Sequence, residues 1–137
     1  MKRGATKQSK VDKFIAEYCQ AHNIKLLIDP GIGKDDGCCY PPFREIHLAQ
    51  KYSSQRVKLV VFLHECGHIS IDKYKNKPYN TFECEFLAWG RALQLFKKNF
   101  GKSFSKIQAE FMLKCLQTYC RSQYEFKKSK DLDETEE

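Results

Sequence analysis

The chain has 137 residues, of which 42% are hydrophobic, and its formal net charge is +7 at pH 7. This size and composition predict one domain with its own core, and no apolar run reaches the ~18–20 residues that span a bilayer. The charge predicts a solvated basic surface, so a nucleic-acid partner is disfavoured.

No apolar segment of a secretory signal follows Lys2 and Arg3, so we expect a cytoplasmic protein with no membrane association. The seven cysteines are then expected to be reduced thiols, and their odd number fits this interpretation.

The first half of the chain predicts one helix and three strands. Residues 1–8 are polar and basic and are expected to form a disordered arm. Apolar residues at helical spacing from Val11 predict an amphipathic helix, with Ser9 as its N-cap, that ends near Asn23. Short apolar segments then predict strands at 25–29, 38–40 and 44–49, which we expect to form a small antiparallel sheet.

The second half predicts three helices. The first runs from about Gln55 to Ile71 after the capping residues Ser53 and Ser54, and a surface loop at 72–79 follows it. The next runs from Asn80 or Thr81 to about Lys98, and its predicted apolar stripe is Phe82, Phe86, Trp89, Leu93 and Phe96. The last begins at Ser105, which has capping-box spacing with Gln108.

The predicted fold class is therefore α+β, with a single domain over residues 9–126. An N-terminal helix precedes a small antiparallel three-stranded sheet, and a helical part completes the domain. Residues 127–137 form a charged tail that we expect to be disordered.

Residues 64–68 have the sequence His-Glu-Cys-Gly-His, which is the H-E-x-x-H pattern. On a helix, His64 and His68 lie on one face, one turn apart, where both imidazoles can bind the same zinc ion. Glu65 then lies close enough to the open position of the metal to act as a general base. The pattern predicts Zn²⁺ as cofactor, His64 and His68 as metal ligands and Glu65 as the catalytic residue.

A catalytic zinc normally has three protein ligands, and no histidine follows His68. The best candidates are Glu83 and Glu85, which lie at the start of the following helix. They point roughly 200° apart on a helix, so only one can face the metal. Spacing alone favours neither of them.

Cysteines near the motif offer a different ligand set for a structural zinc. Cys66 points away from the two histidines because it lies two residues from each. Cys84 is a minor candidate, and small core thiols are the favoured interpretation for both.

The segments 61–69 and 83–90, with the strands that precede them, resemble the ImmA/IrrE family of zinc metallopeptidases. In that family a glutamate near the start of the helix after H-E-x-x-H is the third ligand, in the manner of the gluzincins. The resemblance implies that Glu83 is the metal ligand and that Glu85 is the alternative. Phe86 and Gly90 depart from the family pattern, which has alanine at both places.

The motif and the resemblance together predict a zinc-dependent metallopeptidase that hydrolyses a peptide bond in a specific protein substrate. The resemblance implies a helix-turn-helix transcriptional repressor as that substrate. We expect an extended substrate segment to dock at the edge of the strand at 44–49. The alternative function is a non-catalytic module that binds protein or nucleic acid and retains a structural or vestigial metal site.

Overall fold

The computed structural model describes residues 8–71 and 81–119. All of the predicted N-terminal arm except residue 8, the predicted loop at 72–79 and the predicted tail at 127–137 lie outside these ranges. The helices and strands in chain order are α1 (Lys10–Ala21), β1 (Lys25–Ile28), β2 (Gly37–Tyr40), β3 (Glu45–Leu48), α2 (Gln55–Ile71), α3 (Thr81–Phe100) and α4, which is described over residues 106–119. This is the predicted α+β fold, with α1 before the sheet and the other helices after it.

The sheet is mixed, so the prediction of an antiparallel sheet is wrong for one of its two strand pairs. β2 and β3 pair antiparallel across the turn at Pro41–Phe43, whereas β1 pairs parallel to β3 on the other side. The strand order is β1-β3-β2, because the segment 29–36 carries the chain past the end of β3. β3 is therefore the central strand, and the prediction that residues 44–49 form an exposed edge is also wrong.

Local capping interactions define three of the helix starts. The Ser9 hydroxyl accepts a hydrogen bond of 3.0 Å from the amide of Asp12 at the start of α1. The Ser54 hydroxyl accepts one of 3.2 Å from the amide of Val57 at the start of α2. Each bond satisfies an amide that has no partner within its helix, which confirms Ser9 and Ser54 as capping residues.

The predicted capping box at the start of α4 is present. The amide of Gln108 donates to Ser105 Oγ over 3.3 Å, and the amide of Ser105 donates to Gln108 Oε1 over 2.9 Å. The buried Gln108 side chain also donates to the carbonyl of Arg56 over 3.2 Å, which connects α4 to the first turn of α2.

α2 is the central helix of the domain. It packs against α1, α3 and the sheet, and its side chains from 59 to 67 are buried without interruption. A helix that is apolar on all sides is expected in such an enclosed position. The two histidines of the motif are thereby held on a helix that the core supports from several directions.

Gly67 brings α3 close to α2. A β-carbon at residue 67 would lie 2.3 Å from the carbonyl oxygen of Ala88, so the two helices could not approach this closely with any other residue there. Of the helices in the described ranges, none has both the length and the apolarity to cross a membrane.

Candidate metal centre

The helical spacing brings His64 and His68 together on the surface of α2. Their Nε2 atoms are 3.2 Å apart, and their rings meet edge to face with centroids separated by 4.6 Å. Both Nε2 atoms point to the same location, as the sequence pattern predicts for two imidazoles that bind one metal ion.

A carboxylate from α3 completes this arrangement, and it belongs to Glu85. Glu85 Oε2 lies 2.8 Å from His64 Nε2, and Glu85 Oε1 lies 3.1 Å from His68 Nε2. The contact with His64 has the separation of an ion pair but not the angles of a hydrogen bond, since Glu85 Oε2 has no hydrogen-bond partner. Potential ligand atoms from three side chains thus converge, and one of them, Glu85 Oε2, has no hydrogen-bond partner.

The structure places Glu83, the predicted third ligand, on the exposed side of α3, whereas Glu85, the predicted alternative, contacts both histidines. The reason is the rotation of the helix about its axis. The buried positions of α3 include Ala88, Trp89 and Ala92, and Glu85 lies three and four residues before the first two. The buried face of α3 therefore differs from the predicted apolar stripe. Two residues of that stripe, Phe86 and Leu93, are exposed.

The distances between the three side chains suit zinc. Ligand atoms that bind zinc at about 2.0–2.1 Å in a tetrahedron are about 3.3 Å from one another. The separations of 2.8 and 3.1 Å, which join each Nε2 to a different Glu85 oxygen, and the 3.2 Å between the two Nε2 atoms are close to this value. Two imidazoles and one carboxylate are also a donor set that zinc accepts in catalytic sites.

Glu65 lies beside this cluster and is not its nearest carboxylate. Glu65, His64 and His68 have potential ligand atoms within 4.8 Å of one another. However, Glu65 Oε1 is 4.0 Å from His64 Nε2, farther than either contact of Glu85. Distance therefore favours Glu85 as a ligand and leaves Glu65 available for another role.

The cluster lies in a cleft of about 420 Å³. β2 forms one wall through Gly37 and Cys39, and α4 contributes Phe111 and Cys115. Glu65, although buried, is one of the residues that line this cleft. A small group that enters the cleft can thus reach both the histidines and the Glu65 carboxylate.

Burial and charge act in opposite directions on the carboxylates. Burial raises the pKa of Glu65, although His64 and His68 act to lower it. For Glu85, burial also acts to raise the pKa, but the contacts with His64 and His68 outweigh it and lower the pKa to about 2. Glu85 is therefore the fixed anion of the pair, and Glu65 is the more basic carboxylate.

Burial acts to lower the pKa of His68, but the hydrogen bond and the charge of Glu85 more than offset it, so the pKa is raised. The Glu85 carboxylate thus interacts electrostatically with the imidazole rings of both His64 and His68.

Sequence reasoning did not identify two residues that support the site. Trp89, which was predicted as a core residue and is buried, also stacks on the His64 ring at 4.2 Å. This stack orients a ring whose Nδ1 has no hydrogen-bond partner among the described residues. Cys39 contacts the Glu65 carboxylate, and burial raises the pKa of its thiol, so it remains a donor. The role of Trp89 could have been predicted, because Trp89 lies four residues after Glu85 and so shares its face of α3. No sequence pattern near Cys39 indicates its contact with Glu65.

The thiols of Cys66 and Cys84 do not line the cleft. Cys66 is buried and lines a separate cavity, as its position two residues from each histidine predicts.

No protein-family model matches this chain, and no curated protein or solved structure shows significant similarity to it. The resemblance to the ImmA/IrrE metallopeptidases therefore depends on the motif residues alone.

Proposed function

We propose that this protein is a zinc-dependent metallopeptidase in which His64, His68 and Glu85 hold one Zn²⁺. The observation that carries the proposal is the convergence of the Glu85 carboxylate on both Nε2 atoms, at 2.8 and 3.1 Å. Three protein ligands of this kind would suit a catalytic zinc, whereas structural zinc sites typically have four.

Zinc held by His64, His68 and Glu85 would supply a Lewis acid, which would polarise a peptide carbonyl and lower the pKa of water. Glu65 accepts the proton of the attacking water, because its carboxylate lines the cleft and its pKa is raised by burial. The water oxygen bonds to the carbonyl carbon, the C–N bond breaks, and Glu65 delivers the proton to the leaving nitrogen. The neighbouring Cys39 thiol acts to lower the pKa of Glu65, which favours the carboxylate form that accepts this proton.

The substrate docks along β2. Within the described residues, β2 is an outer strand of the sheet and also a wall of the cleft. An extended peptide can add to such an edge through main-chain hydrogen bonds, which brings its backbone carbonyls alongside the histidines. β2 thus takes the docking role predicted for residues 44–49.

We propose that the enzyme acts on a protein substrate in the cytoplasm. The family resemblance suggests a helix-turn-helix repressor as that substrate. All six described cysteines are free thiols, which suits a reducing compartment.

Metal analysis combined with one conservative substitution tests this function. The purified protein should contain one zinc per chain, and a proteome-derived peptide library should be cleaved by it at reproducible sites detected by mass spectrometry. Glu65→Gln should keep the zinc and the thermal midpoint but lower cleavage by at least about 100-fold, since it removes the general base.

Three outcomes would contradict the proposal. These are absence of zinc from protein purified in its presence, cleavage that survives Glu65→Gln, and cleavage that is unaffected when His64→Ala removes a ligand. A zinc-bound protein without cleavage would instead favour the non-catalytic alternative.

A further inference from the structure

A second cavity, of about 230 Å³, lies on the opposite side of α2 from the metal centre. Cys66 and Ile69 of α2 line it, whereas Glu65 and His68 line the cleft. The end of α1 and the C-terminal half of α3 complete its walls. It shares no lining residue with the cleft.

Basic side chains from separate segments meet at this cavity. Arg44 comes from the turn before β3, Arg91 and Lys98 come from α3, and His22 follows α1. No aspartate or glutamate is among the lining residues in the described part of the chain. A concave site with charge of one sign concentrates the field and attracts the opposite charge.

The two arginines are held by neutral partners. Arg44 donates to the carbonyl of His22 over 2.7 Å and to that of Asn23 over 3.3 Å. Arg91 donates to Ser70 Oγ over 3.2 Å and to Gln94 Oε1 over 3.1 Å. These bonds position the guanidinium groups without neutralising them.

The position of the Arg44 side chain is explained by the C-terminus of α1, because a cation at a helix C-terminus is favourable. The same reason applies to Lys98 in the last turn of α3. Arg91 lies in the middle of α3 and has no carboxylate within ion-pair distance in the described ranges. Within the described part of the chain, a structural ion pair therefore does not explain Arg91.

An aromatic pair forms another wall of the cavity. The rings of Tyr18 and His22 stack at 4.1 Å with an interplanar angle of 28°. Burial raises the pKa of Tyr18, while the charges of Arg91 and Arg44 act to lower it. The hydroxyl is thus a hydrogen-bond donor at neutral pH, beside an apolar ring surface.

We propose that this cavity binds the phosphate group of a small phosphomonoester, with Arg91, Lys98 and Arg44 facing the anion. The guanidinium fork matches phosphate oxygens, and a phosphomonoester carries a charge near −2 at neutral pH, which suits several cations better than a carboxylate does. The cavity volume is several times the ~30 Å³ of a water molecule. Part of the organic group that is esterified to the phosphate therefore fits against the rings of Tyr18 and His22.

Titration of the full-length protein with inorganic phosphate, followed by NMR at constant ionic strength, tests the site. Phosphate should shift the amide signals of His22, Ser70 and Arg91 saturably, and acetate should bind more weakly. AMP should compete with phosphate, and adenosine should not. Arg91→Gln should weaken phosphate binding by about tenfold or more, the loss expected for a charge-assisted hydrogen bond.

α3 offers a matched control for the charge. Lys98→Gln should weaken binding several-fold, whereas Lys97→Gln changes net charge equally at an exposed neighbour that does not line the cavity. His68→Ala should bind phosphate as the unaltered protein does, which separates this site from phosphate bound to a metal in the cleft. The proposal is overturned if phosphate does not bind, if Lys97→Gln and Lys98→Gln weaken binding equally, if adenosine competes as AMP does, or if His68→Ala abolishes binding.

Discussion

Gly67 of α2 contacts the backbone of Ala88 in α3 so closely that a β-carbon at residue 67 would lie 2.3 Å from the Ala88 carbonyl oxygen. Ala88 is three residues after Glu85, so this contact sets the distance between the Glu85 carboxylate of the candidate metal centre and the two histidines. The closeness of the two helices is thus a condition for the site and not only for the core.

Gly67→Ala should therefore separate α3 from α2 and destabilise the protein by about 1–3 kcal/mol, as overpacking in a core does. Urea denaturation followed by circular dichroism measures this change. Zinc affinity should fall in the same variant, because Glu85 moves away from His64 and His68.

Gly90→Ala is the matched control, since residue 90 lies in α3, two residues after Ala88, but has no neighbouring atom within 4 Å of an added β-carbon. It should leave zinc affinity unchanged and stabilise the protein by up to about 1 kcal/mol through helix propensity. Equal effects of the two substitutions would show that the helix contact at Gly67 is unimportant.

The two glutamates at the start of α3 should differ in their effect on zinc. Glu85→Gln should weaken zinc binding by more than about 100-fold, since loss of even an outer-shell partner costs 10–100-fold. Glu83→Gln, on the exposed side of the helix, should change the affinity little. Competition with a chromogenic chelator measures both, and a larger loss in Glu83→Gln would restore Glu83 as the ligand.

An ion pair between α1 and α2 should make stability depend on pH. Asp12 Oδ1 lies 2.7 Å from Lys58 Nζ, and this hydrogen bond is the main cause that lowers the pKa of Asp12. The folded pKa lies below the unfolded value of about 3.9, so the stabilisation is present above that value and disappears as pH falls through the folded pKa.

Asp12→Asn should accordingly be less stable than the unaltered protein at pH 7, by no more than about 1 kcal/mol because the pair is partly exposed. The difference should shrink toward zero below about pH 4 in urea denaturation series. Glu17→Gln removes an acid from the exposed 4.0 Å pair with Lys13 and should change stability by less than about 0.5 kcal/mol. A difference for Asp12→Asn that does not vary with pH would contradict this explanation.

The docking of α4 should depend on the Gln108 side chain. Gln108→Ala removes the bond to the Ser105 amide and the bond to the Arg56 carbonyl, so it should cost about 1–2 kcal/mol of stability. Gln117→Ala changes the same residue type at an exposed position of the same helix and should be nearly neutral. Thermal unfolding compares them, and equal midpoints would exclude this role for Gln108.

Features that depend on neighbours in the chain were predicted correctly. The spacing of His64 and His68 determines that they share a face of α2, because the period of a helix is a local property. Ser9 and the Ser105–Gln108 pair define helix starts for the same reason, since their hydrogen bonds reach only three residues along the chain.

The sequence by itself thus determined the α+β class, the helix that carries the motif, and the identity of two histidines and one glutamate as the candidate site. Only the tertiary structure decided that β1 runs parallel to β3 and that Glu85, not Glu83, faces the histidines. Both depend on packing between segments distant in sequence. The strand order depends on the path of residues 29–36, and the rotation of α3 depends on the Gly67–Ala88 contact, which buries Ala88 and Trp89 and turns Glu85 toward α2.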